Sequence, residues 1–235
     1  MKNYLPLIFI FLFLISCKKD PIPDPPGCFP LTTSPYKIAE EKYYHGVDST
    51  LMDILQYEYD SLGRIHRTLI YTLDTLSGTM VYEYFNDRVE VNGFPYNLNE
   101  QGLVSSIAQF VKYWYDEDGY MVKHFQTGGG YAYYDSVIYQ CHNPVFVYRS
   151  ASLSPGIFFD TTYQTFYTDQ INTIGNENRG IYFFGKQSNT LIQSERTRNQ
   201  TTMAYTYIFD DQQRVLWQIV NAGTSSVQYR KFRYL

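Results

Sequence analysis

A chain of 235 residues with a formal net charge of −4 and no block of basic residues gives no electrostatic reason to expect nucleic-acid binding. Its 25 tyrosines and 16 phenylalanines, against 2 tryptophans, describe a β composition, because Tyr and Phe suit pleated, half-buried surfaces. After the first residues no apolar run approaches the length of a membrane-spanning helix, and the chain is long enough for one large β domain.

The N-terminus reads as a targeting segment. Lys2 precedes an apolar run from Leu5 to Ile15, too short for the roughly 20 residues of a membrane helix and suited to a signal-peptide core. Leu14-Ile15-Ser16-Cys17 then resembles the lipobox of bacterial lipoproteins. That resemblance implies a signal peptide over 1–16, cleavage before Cys17, lipid on its thiol, and anchoring in the outer membrane. The membrane would thus be one partner, through the lipidated N-terminus. Two or three acyl chains anchor stably where one does not. Lys18-Lys19-Asp20 is similar to the surface-export signal of Bacteroidota lipoproteins, with Pro21 where a second acid is usual, which favours the cell surface over the periplasmic face. The proline-rich stretch Pro21 to Gly27 completes a tether over 17–30, extended at about 3.1 Å per residue. Residues 31–235 are expected to form a single β domain.

Cys28 and Cys141 are the remaining cysteines. Outside the cytoplasm an isolated pair is more often a disulfide than a reactive or metal-binding set. A bridge would tie the tether to the domain, and closing so long a loop would stabilise by about 4–5 kcal/mol in the chain-entropy model. Two unpaired buried thiols are the alternative.

One pattern recurs within the domain. Tyr59-Asp60-Ser61-Leu62-Gly63-Arg64-Ile65 is its best copy, and Tyr115-Asp116-Glu117-Asp118-Gly119-Tyr120-Met121 the second. Phe209-Asp210-Asp211-Gln212-Gln213-Arg214-Val215 has Gln213 in place of glycine, and Leu98-Asn99-Glu100-Gln101-Gly102-Leu103-Val104 is a degenerate fourth. Asp or Asn opening a type I turn accepts backbone N–H bonds, and glycine three residues later takes the left-handed conformation that completes a bulged hairpin. Gln213 would pay roughly 1–2 kcal/mol for that conformation, or its turn has another shape. Asn86-Asp87, Asn92-Gly93 and Gly128-Gly129-Gly130 look like further turns. Between turns the residues alternate, as in Tyr205, Tyr207 and Phe209 and again in Val215, Trp217 and Ile219, which is the strand signature. Lys37–Tyr44 reads as a strand, and Lys186–Leu191 as a loop or one helical turn. The fold class is therefore all-β: an antiparallel meander of hairpins forming a large curved sheet or a barrel-like domain. The uneven spacing of the turns excludes a fixed-period solenoid.

The Tyr59-Asp60-x-x-Gly63-Arg64-Ile65 segment resembles the YD repeat of Rhs-type shell proteins, although this chain has too few copies to build such a shell. A nearer likeness is to small Bacteroidota lipoproteins with a porin-like fold. They share the lipobox, the tyrosine-rich hairpins and a late segment similar to Phe183-Phe184-Gly185-Lys186-Gln187-Ser188-Asn189-Thr190-Leu191. The resemblance implies hairpins and brings no catalytic residues.

No catalytic, cofactor-binding or metal-binding set stands out. His45, His66, His124 and His142 lack the spacing of a zinc motif. Asp60, Asp116, Asp118, Asp210 and Asp211 are accounted for by turn chemistry, although a pair held at about 5–10 Å could serve glycoside hydrolysis. The three glycines at 128–130 lack the Gly-Lys-Ser/Thr ending of a phosphate loop. The favoured reading is a non-enzymatic cell-envelope module that binds a glycan or an envelope protein through a tyrosine-rich β surface. An extracellular hydrolase assembled from loops and a membrane-embedded β-barrel are the alternatives. Arg67, Lys123, Arg196 and Arg230 speak against the second by interrupting the apolar band that lipid would require.

Overall fold

The computed structural model describes residues 34–153, 156–198 and 202–235. Cys17, Cys28 and the tether lie outside them. Sixteen strands follow one another: β1 Ile38–His45, β2 Thr50–Tyr59, β3 Ile65–Thr72, β4 Thr75–Tyr84, β5 Arg88–Val91, β6 Phe94–Leu98, β7 Val104–Ile107 and β8 Val111–Tyr115. Then come β9 Met121–Gly128, β10 Tyr131–Gln140, β11 Asn143–Leu153, β12 Gly156–Ile171, β13 Thr190–Thr197, β14 Met203–Phe209, β15 Val215–Val220 and β16 Gln228–Tyr234. Each pairs antiparallel with its neighbours in sequence, and β16 pairs with β1 to close a barrel. The meander curls upon itself, which explains the aromatic residues on both faces of many strands: one face is lumen, the other outer wall.

The four turns opened by Asp60, Asn99, Asp116 and Asp210 share one geometry and sit at one rim. Asp60 Oδ1 accepts the N–H groups of Leu62 and Arg64, both at 2.9 Å. The same pair of bonds runs from Gln101 and Leu103 to Asn99, from Asp118 and Tyr120 to Asp116, and from Gln212 and Arg214 to Asp210. The fourth residue is left-handed every time, with φ of +73° at Gly63, +75° at Gly102, +87° at Gly119 and +60° at Gln213. Gln213 thus takes the conformation that its side chain disfavours. Arg64 and Arg214 fold back on the turn acid, Nε to Oδ2 at 2.7 Å in each case.

A bulge follows each of these turns. Tyr59 pairs with Ile65 and Glu58 with Arg67, so His66 is left over; Ser105, Val122 and Leu216 are the equivalent extra residues. A bulge flips the alternation and adds the local twist that a closing sheet needs. Here it turns Ile65, Val104 and Val215 into the lumen, where they are fully buried. It also corrects the simple alternation read for β15: Val215 faces inward, while Trp217 and Ile219 face outward beside inward Gln218 and Val220.

The tyrosines answer to the same bulges. A bulge breaks the ladder and frees a carbonyl, and a buried carbonyl wants a donor. Tyr84 Oη donates to the Ile65 carbonyl at 2.8 Å, Tyr139 to Met121 at 2.9 Å and Tyr234 to Val215 at 3.0 Å. In each case the tyrosine stands on the next strand along and its acceptor is the first residue after a turn.

The outer wall is divided. Over β1 to β8 it carries charges, including Arg67–Glu58 and Arg88–Glu90 ion pairs at 2.7 Å and Lys42–Glu40 at 3.5 Å. Over β10 to β12 it is aromatic, with Tyr148, Phe159 and Tyr163 exposed. Arg230, read from the sequence as an interruption of the wall, points into the lumen.

Candidate functional site

The long connection from β12 to β13, residues 172–189, folds inward and stoppers the rim that carries the Asp turns. Its Asn and Gly content is the ordinary signal of a loop; its interior location has no local signal. Asn172 Nδ2 donates to the Ser188 carbonyl at 3.0 Å, and Asn178 Oδ1 accepts the Gly175 N–H at 3.1 Å, so the segment is braced within itself. It then reaches across the rim. The Ile38 and Ile65 N–H groups donate to the carbonyls of Asn178 and Gly180 at 2.8 and 3.1 Å, and the Lys186 N–H donates to the Gly119 carbonyl at 2.9 Å. The Val215 N–H donates to Thr173 Oγ1 at 3.0 Å. Gly180 and Gly185 permit these approaches. A Cβ at Gly180 would lie 2.8 Å from the Ile65 nitrogen, and one at Gly185 2.6 Å from the Gly119 carbonyl oxygen.

Apolar and ionic contacts fix the stopper. Phe183 and Phe184, around the 3-10 turn Tyr182–Phe184, pack against Tyr82, Tyr84, Tyr96 and Tyr113 with ring centroids 5.8–6.2 Å apart. Arg179 forms an ion pair with Glu41, whose side chain is 0% exposed. Tyr43 and Tyr57 donate to the same carboxylate, each at 2.9 Å. Burial alone would raise the Glu41 pKa, but the Arg179 charge and these hydrogen bonds outweigh it and hold the group below its ordinary value. Burial beside that carboxylate pushes Tyr43 up to about 12.

The lumen is thus half packed core and half cavity. On the β2–β8 side, Tyr57, Tyr82, Val89, Val104 and Phe183 form a continuous apolar cluster. On the side of β9 to β16 there is a cavity of about 670 Å³, with the stopper as its floor. This volume suits a small ligand. Phe166, Tyr139 and Tyr207 supply rings to it; Arg149, Gln164, Gln218 and Arg230 supply polar groups.

The charges are unevenly matched. Arg149 is held by Asp135 in a forked pair, Nε to Oδ1 at 2.8 Å and Nη2 to Oδ2 at 3.1 Å, while His124 Nδ1 stands 3.3 Å from Oδ2. Burial opposes ionisation of Asp135, yet these partners hold its pKa at about 2. Gln164 donates to Glu195 at 2.6 Å, but its buried Oε1 has no hydrogen-bond partner among the described residues. Arg230 lies over the Tyr43 ring at 4.8 Å and has no carboxylate within ion-pair distance among the described residues. A second cavity of about 580 Å³ lies on the outer side of the stopper, between Tyr182, Lys186 and the turns at Gln101 and Asp118.

The turn residues do not converge on this site. Asp60, Asn99, Asp116 and Asp210 spend their side-chain oxygens on turn N–H groups around the stoppered rim. Cys141 and His142, both left-handed at φ +52° and +61°, form the tight turn between β10 and β11. Cys141 is disulfide-bonded. Tyr113 and Tyr115 face the lumen, while Trp114 between them is 42% exposed on the outer wall. Sequence reasoning missed the Glu41–Arg179 pair and the cavity, because their members lie on strands far apart in the chain.

The barrel is similar to the crystal structure of a porin-like protein from Bacteroides uniformis ATCC 8492. The TM-score is 0.59 at 15% identity, over 87% of this chain and 99% of that one. What the two share is the barrel fold. A second likeness, to the crystal structure of TcdB2-TccC3-TEV, has a TM-score of 0.36 at 11% identity and spans 77% of this chain and 10% of the other, too little to carry an argument. No family model and no curated protein matches the chain.

Proposed function

We propose that this protein is a non-enzymatic binding module of the cell envelope, held to the outer membrane by lipid on Cys17, whose lumen receives the end of a glycan. The stoppered cavity carries this reading: a space of about 670 Å³ with aromatic faces beside planar polar groups, in a barrel closed at one rim. Sugars offer apolar C–H faces and hydroxyls to such a lining. Asp60, Asp116 and Asp210 each accept two backbone N–H bonds within their own turns, so turn chemistry accounts for them.

The same features argue against a pore. A bilayer-spanning strand needs about 9–11 residues, and β5 to β8 have 4, 5, 4 and 5. Outward Arg67 and Lys42 would each cost roughly 2–4 kcal/mol at the bilayer midplane. The aromatic wall over β10 to β12 and the porin-like neighbour favour the second reading, a barrel embedded in the membrane. Expression of an unlipidated 18–235 fragment separates the two. The proposal expects a monodisperse protein without detergent that binds members of a disaccharide panel in calorimetry. Aggregation relieved by detergent would support the embedded barrel, and a soluble fragment that binds no sugar would refute the glycan reading.

A further inference from the structure

The geometry points to an acidic sugar, a uronate or another carboxylate-bearing residue, as the glycan end that the lumen takes, with Arg230 as the group that binds its carboxylate. This rests on the glycan reading above and narrows it.

Three observations combine. The first is the charge balance of the cavity. Of its arginines, Arg179 is paired with Glu41 and Arg149 with Asp135, whereas Arg230 has no ion pair among the described residues; the Glu195 carboxylate on the same side of the lumen is bonded by Gln164. Its guanidinium lies over the Tyr43 ring, a cation–π contact that favours this placement before any ligand arrives. A planar fork fixed in a partly enclosed space is suited to bidentate recognition of a carboxylate. Lys186 at the floor adds a second cation, with its charge shared by Glu177 nearby.

The second observation is the orphaned acceptor. Gln164 Oε1 is buried with no hydrogen-bond partner among the described residues, and Gln164 lines the cavity. Its amide orientation is fixed by the bond from Nε2 to Glu195. A buried acceptor without a donor costs about 1–3 kcal/mol, and a ligand hydroxyl would satisfy it. The third is the ring lining, which can cover the apolar face of a sugar. A carboxylate, a donating hydroxyl and an apolar face occur together in a uronic acid; a plain fatty acid lacks the hydroxyl and a neutral hexose lacks the charge.

The test uses the unlipidated 18–235 protein and disaccharides in matched pairs, each pair identical except for a terminal uronate or the corresponding neutral hexose. Calorimetry should show at least one uronate bound tenfold or more tightly than its neutral partner, and added salt should narrow that gap. Arg230→Gln, checked for unchanged circular dichroism, should abolish the preference of the uronate over its neutral partner. Equal binding within every pair would overturn the inference and leave the glycan reading standing. Absence of binding to all pairs would overturn both. A preference that survives in Arg230→Gln would remove Arg230 from the role. If that variant fails to fold, the matched pairs measured on the unaltered protein still decide the charge preference, and Arg230→Lys, which keeps the charge without the fork, should retain a weakened preference for the acid.

Discussion

Replacing Arg179 by methionine tests the reasoning at its most exposed point. Glu41 has a side chain with no exposed surface, so its charge depends on Arg179. Removing one partner of a buried pair leaves an uncompensated charge and costs about 3–5 kcal/mol. For a domain of this size each kcal/mol shifts Tm by roughly 2–4 °C, so a fall of roughly 6–20 °C is expected at pH 7. The pH dependence is more diagnostic. In the natural protein the Glu41 pKa is depressed, so its contribution is present above the unfolded value and lost as pH falls through the folded one. In Arg179→Met, burial acts without the opposing cation and raises the pKa above the unfolded value. The folded state then binds the extra proton, and its deficit should shrink as pH falls from 8 towards 5. The assay is thermal unfolding of both proteins across that range, with the Tm difference plotted against pH. Glu41→Gln added to Arg179→Met should remove the slope. A deficit that stays constant or widens in acid would refute the claim that Glu41 is buried as an anion chiefly through Arg179.

Five further outcomes are expected. Gln213→Gly relieves a left-handed residue worth roughly 1–2 kcal/mol against an added unfolded-state entropy of roughly 0.5–1 kcal/mol, so Tm should rise by a degree or more. Gly102→Gln, where a Cβ meets nothing within 4 Å, should lower it for the same backbone reason. Tyr84→Phe removes the donor to the Ile65 carbonyl and should cost about 1–2 kcal/mol in urea unfolding with an unchanged slope, whereas no loss would deny the bulge–tyrosine link. The Asp135 carboxyl, at about 2 in the folded state, contributes stability that is fully present above pH 4 and lost as pH falls towards 2; Asp135→Asn should flatten the acid limb of urea midpoints by at most about 2 kcal/mol. Cys28 is proposed as the partner of Cys141, and a Cys28–Cys141 cross-linked peptide in a digest of the unreduced protein is the expected product.

The β-meander was legible in the residues because turn chemistry is local. Asp60 through Gly63 needs nothing beyond its own side chain and backbone to reverse the chain, and the pattern repeats at Asn99, Asp116 and Asp210. Closure of the barrel was not legible, since pairing of Glu41 with Phe232 joins the two ends of the domain. The bulges misled a strict period-two reading one residue beyond each turn, which is why Trp217 and Val215 were placed on one face. The tyrosines gave an ambiguous signal for a physical reason: a ring that caps a freed carbonyl inside the lumen and one that awaits a ligand look alike as letters. Residues 172–189 read as a loop on composition, and only their hydrogen bonds to Ile38, Ile65 and Gly119 reveal that the loop closes the rim. Arg230 looked like a defect in a membrane wall because its face depends on the register of β16 against β15.

Both ends of the barrel seam meet at the stoppered rim, where the Leu235 N–H bonds the Lys37 carbonyl at 3.0 Å and β1 begins against Asn178. Both ends of the described strand order therefore lie at the closed rim, and the hairpin tips between β1 and β2, β9 and β10, and β15 and β16 surround the opposite one. Sequence change at those distant tips can reshape that opening without disturbing the bonds that hold the closed rim.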